Sequence, residues 1–246
     1  MDLNGKAALV TGTRRIGADV ARILARRGAD VALGYARSRE EADQAVAEIQ
    51  SGGRRARSLQ GDLRNPEACR DLVARTVAEF GRLDVLVAMA SIYERVPFDQ
   101  LTEEDWDANL AVDLSSSFFC AQAAVPHMRQ QGGGRIILFS DWIAISGRPR
   151  YKEYLPYYVA KAGVAALAEA LALELAADGI LVNTVAPGPI MPAAGSTEET
   201  NRAVLKATPL GRWGGAEAVA HAVVALIESD FITGEHIRVD GGRHLL

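Results

Sequence analysis

The sequence has few cysteines and no long uninterrupted apolar stretch, and each shortage excludes a class of protein. Two of its 246 residues are cysteines, Cys69 and Cys120, and their separation does not match the spacing of a metal site. A disulfide-stabilised secreted protein needs more cysteines, so we expect a protein of the reducing cytoplasm that binds no metal ion. No apolar run is long enough to span a membrane, and the first residues lack the architecture of a signal peptide.

A strong excess of charge of one sign is also lacking. The 27 lysines and arginines are balanced by 31 aspartates and glutamates, which gives a formal net charge of −4. The pairs Arg14–Arg15 and Arg54–Arg55 are too short to form a basic stripe, so we expect neither a nucleic-acid nor a membrane partner. Because the chain has no repeats and no linker rich in Pro, Gly or Ser, we expect residues 1–246 to form one domain.

Short apolar runs alternate with amphipathic segments along the whole chain. The runs predict seven strands, at Lys6–Val10, Asp30–Tyr35, Ala56–Gln60, Leu83–Val87, Arg135–Ser140, Ile180–Val185 and His236–Val239. The longest predicted helices cover Trp106–Gln131 and Tyr154–Ala177. This alternation predicts an α/β fold, a Rossmann-like, doubly wound parallel sheet of about seven strands with helices on both faces, in three layers.

Tyr157 and Lys161 are the first candidates for catalysis. They lie four residues apart in a predicted helix, so their side chains share one face. A nearby ammonium favours the phenolate, which moves the pKa of a tyrosine from about 10 toward neutrality and makes it a candidate general acid. A half-buried ring beside a solvated lysine gives the same spacing, so the pair needs support from the rest of the chain.

The loop after the first predicted strand is a candidate phosphate site. Two glycines bracket a turn from strand into helix, where backbone N–H groups and the positive helix end would accept a pyrophosphate. The turn residues that we assign to cofactor binding are Gly12, Arg14, Arg15, Ile16 and Gly17. A plain tight turn would also explain the two glycines.

The end of the second predicted strand indicates which dinucleotide is bound. A carboxylate usually stands near here to bind the ribose 2′-hydroxyl of NAD, and none is present. Arg37 and Ser38 follow Tyr35 instead, and an arginine with a hydroxyl suits the 2′-phosphate of NADPH. We therefore predict NADPH (NADP+) as the cofactor. The alternative is a solvated arginine beside Ser38, which begins a predicted capping box at Ser38–Glu41.

Taken together, these features resemble the short-chain dehydrogenase/reductase family over essentially the whole chain. Six motifs carry the resemblance: Thr11-Gly12…Gly17, Gly61-Asp62-Leu63, Tyr157…Lys161, Asn183–Gly188, Pro209–Arg212 and Val239–Gly242. The resemblance implies that Lys161 binds the nicotinamide ribose and lowers the pKa of Tyr157. It also implies a cofactor site completed by Asp62 and Leu63 at the adenine, by Ile190 at the nicotinamide amide, and by Ala90, Pro187 and Gly188.

The chain departs from the family where a serine usually polarises the substrate carbonyl. Counting from the strand Arg135–Ser140 places Asp141 in that position, with Ser140 before it. An ionised carboxylate cannot donate a hydrogen bond and would repel a developing alkoxide, but it accepts from N–H groups. Asp141 therefore favours a nitrogen-bearing substrate. The alternatives are that Ser140 takes the role, or that Asp141 is a loop residue.

With Asp141 in that position, the chain is similar to the pteridine reductase branch of the family, and its ending Asp240–Leu245 is similar to the related dihydromonapterin reductases. That branch has aspartate in the position of the serine, an arginine at the position of Arg15, and a ring near Tyr93 that stacks on the pterin. Tyr93 and Trp142 are therefore candidates for binding a flat substrate ring, although each ring also suits ordinary packing. The segment Gly147–Arg150 lengthens the gap between Asp141 and Tyr157, and we expect it to shape the pocket or to bulge into solvent.

A second departure is Asp113, which replaces the asparagine that usually holds a relay water. Its charge is expected to pair with Lys161, so we include it with Tyr157, Lys161 and Asp141 among the catalytic residues. Residues 189–215 are expected to form the substrate lid, with a mobile segment at Ala193–Lys206. The resemblance further implies a homotetramer or a homodimer.

These features predict an NADPH-dependent oxidoreductase that reduces the C=N or C=O bond of a small, cyclic, nitrogen-containing substrate such as a pterin or an imine. The first alternative is a 3-oxoacyl or ketone reductase of the same family, which would share every cofactor residue. The second is a redox sensor that binds NADP without catalysis.

Overall fold

A single seven-stranded parallel sheet forms the centre of the structure. The computed structural model describes residues 1–146, 151–193 and 195–246, so the segment Gly147–Arg150 lies outside the described residues, as does Ala194 of the lid. The strands are β1 (Ala7–Thr11), β2 (Asp30–Tyr35), β3 (Ala56–Gln60), β4 (Val85–Ala88), β5 (Gly134–Phe139), β6 (Ile180–Pro187) and β7 (His236–Val239). Their order across the sheet is β3-β2-β1-β4-β5-β6-β7, and every pair of neighbours is parallel. The predicted Rossmann-like fold class is confirmed.

The helices fill the connections between the strands. They are α1 (Gly17–Arg26), α2 (Arg39–Ser51), α3 (Pro66–Phe80), α4 (Glu103–Asn109), α5 (Ser116–Gln130), α6 (Leu155–Leu175), α7 (Glu198–Lys206) and α8 (Gly215–Glu228). Within the described residues, no helix is both long and apolar enough to cross a membrane.

Alternation of side chains along the strands creates two apolar layers, one on each face of the sheet. Val10 of β1 belongs to the layer that packs against α1, α2 and α8, whereas Leu9 belongs to the layer formed with α3, α5 and α6. Both side chains are fully buried. Because both faces of the sheet are covered, its strands read as nearly continuous apolar runs, which is why the sequence predicts them well.

The single helix predicted over Trp106–Gln131 is wrong in detail, because a π-helical turn at Leu110–Ser115 separates α4 from α5. A π turn inserts an extra residue into a helical turn, which redirects the side chains around it, and such turns are frequent at functional sites. Here the π turn carries the buried Asp113. Apolar periodicity indicates the helix but does not reveal a local change in its pitch.

Parallel pairing brings the carboxyl ends of all seven strands to one edge of the sheet. The order of the strands reverses between β1 and β4. The connections that follow these two strands therefore run to opposite sides, which opens a crevice at that edge. The loops after β1, β4, β5 and β6 all meet there, and they carry most of the residues that the sequence assigns to the site.

Candidate active site

Tyr157 and Asp141 form a direct hydrogen bond at the carboxyl edge of the sheet. The Tyr157 hydroxyl donates to Asp141 Oδ2 over 2.7 Å, and Asp141 Oδ1 accepts from the backbone N–H of Ile143 over 3.0 Å. Tyr157 lies in the first turn of α6, and only 6% of its surface is exposed. The loop after β5 therefore places a carboxylate against the hydroxyl of the candidate general acid.

Lys161 lies one turn further along α6 and makes a buried ion pair with Asp113. The Lys161 Nζ is 3.1 Å from Asp113 Oδ1, and it also donates to the carbonyl oxygen of Phe139 over 2.9 Å. The same nitrogen lies 5.6 Å from the centroid of the Tyr157 ring. The pairing predicted for Asp113 and Lys161 is thus present in the structure.

The acidity of Tyr157 differs from what the family resemblance implies. Burial raises the pKa of the Tyr157 hydroxyl well above its usual range, and the charge of Asp141 and its hydrogen bond raise that pKa further. The negative charge of Asp113 acts in the same direction. In this structure burial outweighs any lowering of the Tyr157 pKa by Lys161, and the two carboxylates add to the rise.

Asp141 faces the site, whereas Ser140 does not. Burial raises the pKa of the Asp141 carboxyl to about 6, although the hydrogen bond from Tyr157 partly offsets this rise. Ser140 is 2% exposed, and its hydroxyl donates to the backbone carbonyl of Lys161 over 2.8 Å. This hydrogen bond joins the end of β5 to α6. The structure therefore favours Asp141 over Ser140 as the residue that contacts a substrate.

Aromatic side chains form one wall of the site. The ring of Tyr93 stacks on Tyr154 with centroids 4.5 Å apart and meets the edge of Tyr157 at 4.9 Å. Tyr93 is 44% exposed, so one face of its ring is accessible from solvent. The ring of Tyr93 thus lies beside Tyr157, and its stacking on a substrate ring remains a prediction.

The assignment of Trp142 to a substrate ring needs correction. The side chain is 2% exposed, and its ring meets Tyr151 edge-on at 6.0 Å and lies 5.7 Å from the Arg243 guanidinium carbon. Its backbone N–H donates to the carbonyl oxygen of Pro187. Trp142 therefore packs behind the site and joins the loop after β5 to the loop after β6. The sequence shows an aromatic residue in a loop but not which way its ring turns.

The turn after β1 has the shape that a dinucleotide phosphate needs. Gly12 adopts a φ of +84°, and a Cβ there would come within 2.8 Å of the Ala90 backbone. At the start of α1, Ile16 holds the N-cap position, and its side chain has no oxygen with which to cap the helix. The first N–H groups of α1 are therefore free of a competing side-chain oxygen. The residues present fit the diphosphate of a dinucleotide.

Gly12→Ala should weaken both the fold and cofactor binding. The new Cβ meets backbone atoms that cannot move aside, and alanine is strained at this φ. We expect a loss of at least about 2 kcal/mol in unfolding free energy and at least about a tenfold loss of NADPH affinity. Gly53→Ala is the matched control, because Gly53 has a φ of +83° with nothing within 4 Å of its Cβ position. Denaturant melts and NADPH fluorescence titrations measure both effects; equal losses in the two variants would contradict the role of Gly12.

Arg15 contacts the lid in this structure. Its backbone is left-handed at φ +66°, and its guanidinium donates to the carbonyl oxygens of Pro192 at 2.8 Å and Met191 at 3.4 Å. Its neighbour Arg14 is exposed. The structure thus ties the phosphate turn to the start of the lid.

The region predicted for the adenosine end is partly as expected. Arg37 is exposed at the end of β2, and Ser38 begins α2 without a side-chain capping bond, so the predicted capping box does not form. Tyr35 is buried, and its hydroxyl accepts from Arg39 over 3.1 Å. A Ser38 hydroxyl that does not cap the helix suits the predicted contact with a phosphate.

Asp62 already has a strong partner. Arg64 donates to both of its carboxylate oxygens, the shorter contact being 2.6 Å, and this hydrogen bonding lowers the pKa of Asp62. Leu63 beside it is buried. An adenine bound here would share Asp62 with Arg64, a neighbour that the sequence analysis did not include.

The loop after β6 passes close to the end of β7. A Cβ on Gly188 would lie 2.8 Å from the Asp240 Cα, so only glycine allows this approach. Gly188 donates its N–H to the carbonyl oxygen of Val239, and the side chain of Ile190 is buried. The predicted nicotinamide loop is therefore held in place by β7.

Known proteins are similar to this chain over nearly its whole length. The model of one protein family, described as enoyl-(acyl carrier protein) reductase, matches residues 10–244. A 3-oxoacyl-[acyl-carrier-protein] reductase of Staphylococcus aureus is 36% identical over 246 residues, covering 98% of each chain. An L-rhamnose 1-dehydrogenase (NAD(P)(+)) of a Sphingomonas species is 36% identical over 251 residues, covering 99% of this chain and 98% of the relative.

A solved structure gives the same result for the fold. A short-chain dehydrogenase of Burkholderia cenocepacia, in complex with NADP, superimposes with a TM-score of 0.91 at 36% identity and covers 99% of both chains. This chain belongs to the short-chain dehydrogenase/reductase family. The family predicted from the motifs is thereby confirmed, and the protein is an oxidoreductase of that family.

Sequence reasoning missed several partners of the site in this short-chain dehydrogenase/reductase. Tyr154 and Tyr151 complete the aromatic wall, and Ser91 and the N–H of Ile92 both donate to Asp113. One signal was available, because five of the six tyrosines, at positions 93, 151, 154, 157 and 158, lie in or near the loops of the carboxyl edge. The contacts of Asp113 with Ser91 and Ile92, unlike its predicted pairing with Lys161, had no signal in the sequence.

Proposed function

We propose that this protein is an NADPH-dependent reductase of small carbonyl compounds. The observation that carries the proposal is the hydrogen bond from Tyr157 to Asp141, with the Lys161 ammonium 5.6 Å from the centroid of the Tyr157 ring, at the carboxyl edge of the sheet. The relatives support a carbonyl substrate, since by name one acts on 3-oxoacyl groups and another on a sugar. The name of the structural neighbour supports NADP as the cofactor. The ketone-reductase alternative is thus better supported than the pterin-directed interpretation.

NADPH, when bound, would supply the hydride. The residues that would hold it are those of the phosphate turn, Arg37 and Ser38 at the 2′-phosphate, and the loop from Pro187 to Ile190. Tyr157 donates its hydroxyl proton to the substrate oxygen as charge develops there. Lys161 keeps a positive charge beside the Tyr157 ring, and Tyr93 excludes water from one side of the hydroxyl.

The protonation state of Asp141 determines whether this residue stabilises a substrate carbonyl. While its carboxyl is protonated, it donates a hydrogen bond to the substrate oxygen, as a serine would. Once ionised, it accepts a hydrogen bond from the Tyr157 hydroxyl and opposes a developing negative charge. The Asp141 carboxyl therefore assists Tyr157 at pH values below the pKa of Asp141.

The second candidate is a reductase of a cyclic imine or pterin, and Asp141 is the specific observation that favours it. An ionised carboxylate next to Tyr157 would stabilise a protonated C=N bond and would accept from ring N–H groups. Rates on a β-ketoester, a cyclic imine and a dihydropterin, each with NADPH, test the proposal. Turnover of the β-ketoester is the expected result, and turnover of the nitrogen compounds alone would favour the second candidate.

Arg37→Ala should lower the preference for NADPH over NADH. An arginine bond to a phosphate is worth about 1.5–3 kcal/mol, so we expect the KM for NADPH to rise by about 10- to 100-fold while the KM for NADH is unchanged. Arg26→Ala is the control, because Arg26 is exposed in the last turn of α1, away from the carboxyl edge. Equal KM values for NADPH in wild type and Arg37→Ala would contradict this role of Arg37.

Assembly and lid motion are part of the same proposal. Leu173 and Phe231 are 84% and 97% exposed, which is consistent with a homotetramer or homodimer that covers them.

The lid helix α7 is capped by Thr197, whose side chain accepts from the N–H of Thr200. We propose that residues 189–215 close over the substrate.

A further inference from the structure

Asp113 places a negative charge where it cancels the positive charge of Lys161. The two side chains are 0% and 3% exposed, and their charged atoms are 3.1 Å apart. Charges interact strongly where water is absent, so each compensates most of the effect of the other on its surroundings. The Tyr157 hydroxyl therefore experiences a lysine whose charge is already balanced.

The charged and titratable groups around Tyr157 come from four parts of the chain. Asp113 lies on the π turn, Lys161 on α6, Asp141 on the loop after β5 and Tyr93 on the loop after β4. Of these, Asp141, Asp113 and Tyr93 all disfavour the phenolate. Lys161 alone among these four favours it.

Asp113 is fixed in its place by other bonds. Its Oδ2 accepts from the backbone N–H of Ile92 over 3.0 Å, and its Oδ1 accepts from the hydroxyl of Ser91. The carboxylate is thus held on one side by the loop after β4 and on the other by Lys161. It cannot turn away and leave the lysine charge uncompensated.

We propose that Asp113 is a positioning residue that keeps Tyr157 protonated, and that it thereby favours reduction over alcohol oxidation. This inference rests on the proposed function, because it assigns the direction in which that site works. Reduction needs a protonated phenol that gives its proton to the substrate oxygen, whereas alcohol oxidation needs a phenolate that takes the proton from the alcohol. A tyrosine that stays protonated can give its proton to a developing alkoxide, but it cannot take a proton from an alcohol.

Asp113→Asn tests this directly, because it removes one charge and preserves the shape of the side chain. The ultraviolet tyrosinate titration of Tyr157, obtained as the difference between each protein and its Tyr157→Phe counterpart, should have a midpoint about one pH unit or more lower in Asp113→Asn than in wild type. NADP+-dependent oxidation of a secondary alcohol should then begin at a correspondingly lower pH. An unchanged midpoint would overturn the proposal.

Two further variants keep the test decisive. Ser91→Ala removes one hydrogen bond to Asp113 but no charge, so its tyrosinate midpoint should equal that of wild type. A midpoint lowered as far as in Asp113→Asn would show that the effect comes from loosened packing, and it would overturn the proposal. Asp113→Ser removes the same charge with a smaller side chain and replaces Asp113→Asn if that variant does not fold. The titration needs no substrate, so absence of turnover would refute the proposed function while still leaving the role of Asp113 to be decided by the midpoint.

Discussion

Tyr157→Phe should abolish turnover and leave NADPH binding intact. The variant loses the hydroxyl that donates to Asp141 over 2.7 Å, and with it the proton that the substrate oxygen receives. General acid catalysis contributes about 10²–10⁴-fold, so we expect kcat to fall at least that far. The ring remains in place against Tyr93, so the pocket keeps its shape. Steady-state rates with a β-ketoester and fluorescence titration with NADPH measure the two properties separately.

Tyr158→Phe is the matched control for that experiment. Tyr158 follows Tyr157 directly and packs partly buried against the same small apolar cluster. Its substitution removes the same atom from the neighbouring residue, so kcat should remain within about twofold of wild type. Full activity in Tyr157→Phe, or equal losses in both variants, would contradict the role of Tyr157 as proton donor.

Asp141→Asn should change how the rate depends on pH. The pKa of Asp141 is about 6, because burial disfavours the charged form. Below that value the carboxyl is protonated and donates to a carbonyl oxygen; above it the group is ionised and opposes the reaction. Reduction of a ketone by wild type should therefore fall by about tenfold per pH unit as pH rises above 6. The asparagine amide donates at every pH, so this fall should be absent from Asp141→Asn.

The same variant separates the two candidate substrate classes. Reduction of a cyclic imine needs the ionised carboxylate, so its rate should persist above pH 6 in wild type and drop in Asp141→Asn. Ser140→Ala serves as the control, because the Ser140 hydroxyl bonds to the backbone of Lys161 and not to the site. A wild-type rate that stays flat from pH 5 to 8 with both substrates would contradict the role of Asp141.

The sequence predicts the scaffold well because the scaffold depends on patterns that repeat. Strands buried on both faces are apolar throughout, and their alternation with helices allows few topologies. The Tyr157–Lys161 pair was predictable for the same reason, since helical spacing alone places both side chains on one face. Asp141 was predictable because its place is counted from the end of a strand.

The remaining features depend on tertiary contacts that no local pattern encodes. Trp142 is an aromatic loop residue like Tyr93, yet one ring is buried behind the site and the other is 44% exposed. The pKa of Tyr157 is raised first by burial and then by the carboxylates of Asp141 and Asp113, and the spacing of the Tyr157–Lys161 motif shows none of these causes. Asp113 reaches Lys161 from a π turn that helical periodicity does not reveal.

A crystal structure with NADP+ bound tests the central claim most directly. Our account predicts that the nicotinamide C4 faces the Tyr157 hydroxyl across a gap that admits one carbonyl group, with hydride and proton donors each about 3–3.5 Å from the atoms they would reach. It also predicts that Asp141 lines that gap. A nicotinamide ring turned away from Tyr157, or an Asp141 carboxylate directed out of the pocket, would contradict it.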